Sequence, residues 1–242
     1  MQEKVEGVIV SELDWQETSK IINVVTKEYG RIGMIAKGAR QLKSKLRTGT
    51  MMMTHGIFDI YYKPDKLSIL KEVEVKNDYP HIKNDLNKLA SASFVIDIFN
   101  QVIKNDFEKA WYNDFIATLN KIDEGYDANI ITNIFMLKVM QMLGIMPELN
   151  SCISCNDKAN IVTFSIIKGG FVCHNCTEND QIFSEKTIKL LRMLSYVDIS
   201  KITKLDIKPE IAKELDLVIN QYFEEYSGLY LNSKKIMDKL NV

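Results

Sequence analysis

Hydrophobic positions recur with one period before Pro80 and with another after it. Before it, β-branched residues fill short runs at 5–10, 20–26, 32–37, 52–62 and 68–76, with turn residues between them. In the last run Ile69, Val73 and Val75 fall on one side and Glu72, Glu74 and Lys76 on the other, the alternation of a half-buried strand. In GIFDIYY, Phe58, Ile60 and Tyr62 share a side, with Ile57, Asp59 and Tyr61 opposite. Tyr29-Gly30 and Lys63-Pro64-Asp65-Lys66 supply hairpin turns. Five short strands in about 75 residues predict a small closed barrel.

After Pro80, apolar residues at three- and four-residue spacings predict helices over 82–103, 107–122 and 128–143. Asp127 suits the N-cap of the third, and Gly144 with Pro147 stops it. Farther on, Ser184 caps a helix over 185–196. Pro209 opens another, whose Ile211, Leu215, Val218, Tyr222 and Tyr226 share a face until Gly228. The pattern is that of an α+β chain: a five-stranded barrel over 1–80, then a helical domain over 81–242 that carries an inserted cysteine module at 149–180.

With 242 residues and 46% hydrophobic content, the chain can bury a sizeable core and exceeds one average domain. A formal charge of −1 excludes a global positive field, so any site for nucleic acid must be local. The longest apolar stretch, 130–146, is interrupted by Thr132, Asn133, Lys138 and Gln141 and falls short of the roughly 20 residues a bilayer needs. It reads as a buried helix, and no membrane partner is expected. The opening MQEKVEGVIV lacks the basic-then-apolar order of a secretory signal, which predicts a cytoplasmic protein.

The chain's four cysteines form two C-x-x-C pairs, Cys152 with Cys155 and Cys173 with Cys176, separated by seventeen residues. Two such knuckles suit one tetrahedral ion, with Lys168-Gly169-Gly170-Phe171 as the hairpin presenting the second. Four thiolates fill a zinc shell and leave no place for an activated water, so the expected Zn²⁺ is structural. Disulfides and idle thiols are the alternatives, and His174 is an alternative fourth ligand.

From Arg31 to Phe58 there are six basic residues and no acid: Arg31, Lys37, Arg40, Lys43, Lys45 and Arg47. The stretch IAKGARQLKSKLRTGT is too polar for a core strand and predicts a loop or one short helix leaving the third strand. Clustered cations on a small barrel can displace counterions from phosphates; a merely solvated loop is equally open to this composition. Tyr61 is a weak stacking candidate because Asp59, which shares its side of the strand, repels phosphate. There is no nucleotide phosphate loop, dinucleotide fingerprint, H-E-x-x-H or G-x-S-x-G. No enzymatic activity and no nucleotide ligand are expected.

The order of these parts is similar to that of the RecO family of bacterial DNA repair and recombination mediators. The specific elements are KGAR at Lys37 to Arg40 directly after a barrel strand, and LGIMPELNSCISC leading to GGFVCHNC between Leu143 and Cys176. The resemblance covers essentially the whole chain and implies an OB-fold barrel, a helical domain and an inserted four-cysteine zinc module. It implies a nucleoid-associated protein that binds single- and double-stranded DNA and anneals complementary strands. With RecR, such a protein assists RecA loading onto DNA coated by single-strand binding protein, whose C-terminal tail is a further implied partner. It assigns metal to Cys152, Cys155, Cys173 and Cys176 and DNA contact to Lys37 and Arg40; charge extends that surface to Lys43, Lys45 and Arg47. The alternative is a zinc-bearing interaction adaptor without direct DNA binding, and after it an enzyme built from scattered polar residues.

Overall fold

A computed structural model describes residues 1–103 and 108–234. The chain forms two compact units, 1–89 with 96–113, and 90–95 with 114–242.

The first unit contains β1 (Gln2–Trp15), β2 (Ser19–Thr26), β3 (Gly30–Ala36), β4 (His55–Tyr61) and β5 (Ser68–Asn77), closed in the order β1-β2-β3-β5-β4. Closure leaves no unpaired edge, the reason a barrel this small persists in water. Alternation sends Val5, Ile9, Ile22, Val24, Ile32, Met34, Phe58 and Ile60 into one buried cluster. In β5 the simple alternation fails. A register shift opposite Asp59 and Ile60 inserts Lys71 as a bulge, so Leu70 and Val73 face the core while Ile69 faces outward and Val75 is exposed. Between β3 and β4 the chain turns at Lys37 to Arg40 and makes one short helix, α1 (Leu46–Gly49).

The helix expected over 82–103 is broken in two, α2 (Pro80–Lys83) and α3 (Leu86–Val102). Asp85 breaks it by taking an extended backbone and capping α3, its carboxylate accepting from the amides of Asn87 and Lys88 at 2.9 and 3.1 Å. Then follow α4 (Lys109–Asp123), α5 (Ala128–Met142), the hairpin β6 (Ile161–Ser165) and β7 (Gly170–Cys173), α6 (Glu185–Ser195) and α7 (Pro209–Ser227). Phe107, the expected start of the helix over 107–122, and the end of the chain beyond Lys234 lie outside the described residues.

Asp127 and Ser184 cap α5 and α6 as their sequence positions predict. Gly228 ends α7 in the left-handed conformation, at φ 62°. The second unit buries α5 through Ile130, Ile134, Phe135 and Leu137, and α7 through Leu215, Val218 and Tyr222. Ile219 and Phe223 join that face of α7, while Tyr226 is partly exposed. Among the described residues no helix is long and apolar enough to cross a membrane.

Candidate functional site

The four cysteines converge. Their Sγ atoms lie within 4.8 Å of one another, and Cys155 and Cys173 stand 3.5 Å apart. A disulfide needs about 2 Å, whereas sulfurs on a tetrahedral ion at about 2.3 Å are roughly 3.8 Å apart, so the donor set fits a metal ion. Local hydrogen bonds shape both knuckles. The Cys152 amide donates to Asp157 O at 2.7 Å and the Asn156 amide to Cys152 O at 2.8 Å, with Asn156 left-handed at φ 62°. The Thr177 amide and hydroxyl both donate to Cys173 O, at 3.0 and 2.8 Å. His174 lies outside the cluster of ligand atoms.

Burial opposes ionisation of Cys152, but the backbone amides of Cys173, Ser154 and Cys155 outweigh it and hold that thiol down, to about 6. Hydrogen bonding to Cys155 and Cys173 pushes Cys176 up to about 12. Four neighbouring sulfurs cannot all become thiolates without a cation between them, and the amides already favour the first one.

The hairpin packs on the helices of its own unit. Phe164 meets Tyr222 edge-on at 5.6 Å, and the Tyr226 hydroxyl donates to Ile166 O at 2.9 Å and Ile167 O at 3.1 Å. The Arg192 guanidinium of α6 lies 5.2 Å from the Phe171 ring centroid. Around the cysteines the buried cluster is small, Cys152, Val172 and Cys173 with Ile161 and Cys176 packed against them, while Phe164 and Phe171 are buried as well.

On the barrel, Lys37, Lys43, Lys45 and Arg47 are exposed and make no ion pair with a described residue. Arg40 differs. It lies 3.1 Å from Asp14 Oδ2 and donates to the carbonyls of Gln16 and Glu17, both at 3.3 Å. Nothing in the sequence pairs Arg40 with the β1–β2 hairpin; strand closure does.

The barrel also gives His55 a partner that no local motif shows. His55 Nε2 is 3.0 Å from Glu6 Oε1, whose other oxygen takes Lys76 at 3.0 Å. Burial holds His55 below its usual value although Glu6 draws it upward. Glu6 also lies below its usual value: burial opposes this, but hydrogen bonds from Lys76 and His55 prevail. A shallow groove of about 320 Å³ contains Lys4, Asp59, Glu72 and Glu74, and its lining offers no histidine, cysteine or serine.

Comparison with known proteins covers both halves of the chain. Residues 1–79 match the family model for the recombination protein O N terminus, and residues 83–235 the model for its C terminus. Similar along nearly their whole lengths are the DNA repair protein RecO of Halalkalibacterium halodurans, 33% identical over 99% of this chain and 96% of that one, and that of Bacillus subtilis, 34% identical over 99% and 95%. The DNA repair protein RecO of Listeria monocytogenes is 32% identical over 99% of this chain and 95% of its own. A five-stranded barrel, a helical body, four converging cysteines and a match running from one end to the other agree on one conclusion: the chain belongs to the RecO family of DNA repair proteins.

Proposed function

We propose that this protein is a recombination mediator that binds single- and double-stranded DNA, anneals complementary strands without nucleotide hydrolysis and, with RecR, assists RecA loading onto DNA coated by single-strand binding protein. In this reading residues 1–80 bind nucleic acid, residues 81–242 form the helical body, and 149–180 is its metal module. The observation that carries the reading is the group of exposed cations Lys37, Lys43, Lys45 and Arg47 on the barrel, with no described acid in ion-pair reach. Arg40, whose side chain is 38% exposed, borders the same surface and sets its position.

Annealing requires that two polyanions be neutralised together while their base edges stay readable, so backbone contact serves it better than sequence readout. Cys152, Cys155, Cys173 and Cys176 would hold Zn²⁺, whose thiolate bonds stabilise the module and supply no reactive position.

The test is annealing of two labelled complementary oligonucleotides over a range of salt, with wild type beside the Lys37, Lys43, Lys45 and Arg47 quadruple alanine variant. Wild type is expected to anneal. The variant should bind single strands with a log–log salt slope smaller by about 3, one counterion contribution of about 0.7 per cation removed. An unchanged slope would place the DNA site elsewhere.

A further inference from the structure

The four cysteines are not equally sheltered. Cys152 and Cys173 are buried, at 0% and 1% exposure, Cys176 is intermediate, and Cys155 alone of the four is open to solvent. The first knuckle explains the difference. Its turn is closed by the Asn156 amide on Cys152 O at 2.8 Å, with Asn156 left-handed at φ 62°, and residues 153–156 all stand exposed on it. Cys173 instead ends β7, where Phe171 and Val172 are buried beside it. Across this boundary the Cys155 and Cys173 sulfurs are 3.5 Å apart. A sulfur that solvent reaches therefore touches one that it does not.

Holding a metal requires four sulfurs and no access to them; an open sulfur against a hidden one meets a different requirement. Thiol oxidation needs an accessible thiolate to meet the oxidant and a second thiol in contact to resolve the product. Closing 3.5 Å to the roughly 2 Å of an S–S bond is a short movement, and it falls to the exposed turn, since Cys173 is fixed by the β6–β7 pairing. The acid of that turn, Asp157, is occupied within its own loop. Its carboxylate accepts from the Ala159 amide at 2.8 Å and from the Asn160 side chain at 2.9 Å.

We infer that Cys155 is an oxidation site for small hydroperoxides, with Cys173 as the resolving thiol. With hydrogen peroxide, the Cys155 thiolate attacks the O–O bond, one oxygen stays on sulfur as a sulfenic acid and the other leaves as hydroxide. The Cys173 thiolate then attacks that sulfur, the S–S bond forms and the second hydroxide leaves. Solvent protons convert both hydroxides to water; two thiolates have been oxidised and the peroxide reduced. Cys152 and Cys176 remain, too few to complete a tetrahedral shell, so the metal is lost. The helix side of the module keeps its seat through the Phe171 amide on Glu148 O at 2.8 Å and through Phe164 against Tyr222. Oxidation thus loosens the cysteine end alone, and reductant with metal restores it. The inference rests on the metal-binding reading proposed above and adds to it a chemical signal that empties the site.

The test treats the zinc-loaded full-length protein with equimolar hydrogen peroxide while a metallochromic indicator records free zinc. Differential alkylation and peptide mass measurement then map the thiols. Zinc release should match disulfide formation mole for mole, with Cys155 and Cys173 protected from alkylation together and Cys152 and Cys176 still reactive. A dithiol reductant with added zinc should reverse both signals. Cys155→His, which offers another zinc donor but no oxidisable sulfur, should keep the metal and lose the peroxide-driven release. If that variant binds no zinc, the wild-type map decides alone. Zinc retained by wild type at a peroxide dose that oxidises free glutathione in a parallel tube would overturn the inference and leave the metal reading in place. A first disulfide within either C-x-x-C pair would overturn it equally. A purified protein that takes up no zinc would remove the metal reading and this inference with it.

Discussion

The Arg40 guanidinium and the Asp14 carboxylate, 3.1 Å apart, tie the turn after β3 to the β1–β2 hairpin. The same side chain caps the carbonyls of Gln16 and Glu17, and the Arg40 amide donates to Thr18 O at 2.8 Å. One residue thus holds two loops in a single frame. The turn that precedes the exposed cations is thereby tied to the β1–β2 hairpin.

Arg40→Ala should therefore cost stability as well as charge. An exposed ion pair is worth at most about 1 kcal/mol and each of the two carbonyl hydrogen bonds adds up to a comparable amount, so a loss of about 1–3 kcal/mol is expected. Arg40→Lys should restore little, because an ammonium lacks the planar fork that reaches several acceptors at once. Lys43→Ala, which removes a side chain without a described ion pair, should melt with wild type. Equal melting temperatures for Arg40→Ala and wild type in thermal denaturation would refute the clamp.

Cys173→Ser removes one buried member of the four-cysteine cluster proposed to hold the metal. Metal content measured on the purified protein should fall, and the melting temperature should drop, because metal binding and folding of such a segment are one process. A strong chelator added to wild type should reproduce the drop. If the chelated and metal-bound forms melt together, the metal is not structural.

Gly170→Ala tests the seat of the β6–β7 hairpin. A Cβ there would stand 2.7 Å from Glu148 O and 3.1 Å from Glu148 N, so backbone must move. The Phe171 amide bond to Glu148 O, 2.8 Å, would be disturbed with it. A loss of about 1–3 kcal/mol, the usual cost of overpacking, is expected in urea titrations, with the four cysteines themselves untouched.

Acid should weaken the barrel in two steps. His55 is held below its ordinary value, so the unfolded chain takes up its proton first, and stability falls as pH drops from about 6.5. Glu6 is also depressed; its contribution is complete above its unfolded value of about 4.3 and is lost as pH falls through the lower folded one. In His55→Gln the upper step should disappear and the lower remain. Urea midpoints between pH 7.5 and about 5 read the difference; a slope identical to wild type would show that His55 does not titrate with folding.

The sequence by itself determined the element types, the caps at Asp127 and Ser184, the barrel's strand count and the four cysteines that converge, because each is written in local periodicity or in the spacing of a few chemically distinctive residues. The KGAR turn and its neighbouring cations were legible for the same reason. Only tertiary structure decided which of those cations are held and which are left to solvent, since Asp14 reaches Arg40 through strand pairing and not through nearness in the chain. It alone moved Leu70 inward and Ile69 outward, because one bulge reverses the side on which every later residue falls. The Glu6–His55 pair belongs to that second class. Each member looks ordinary in its own segment, and the relation among them exists only once register is set.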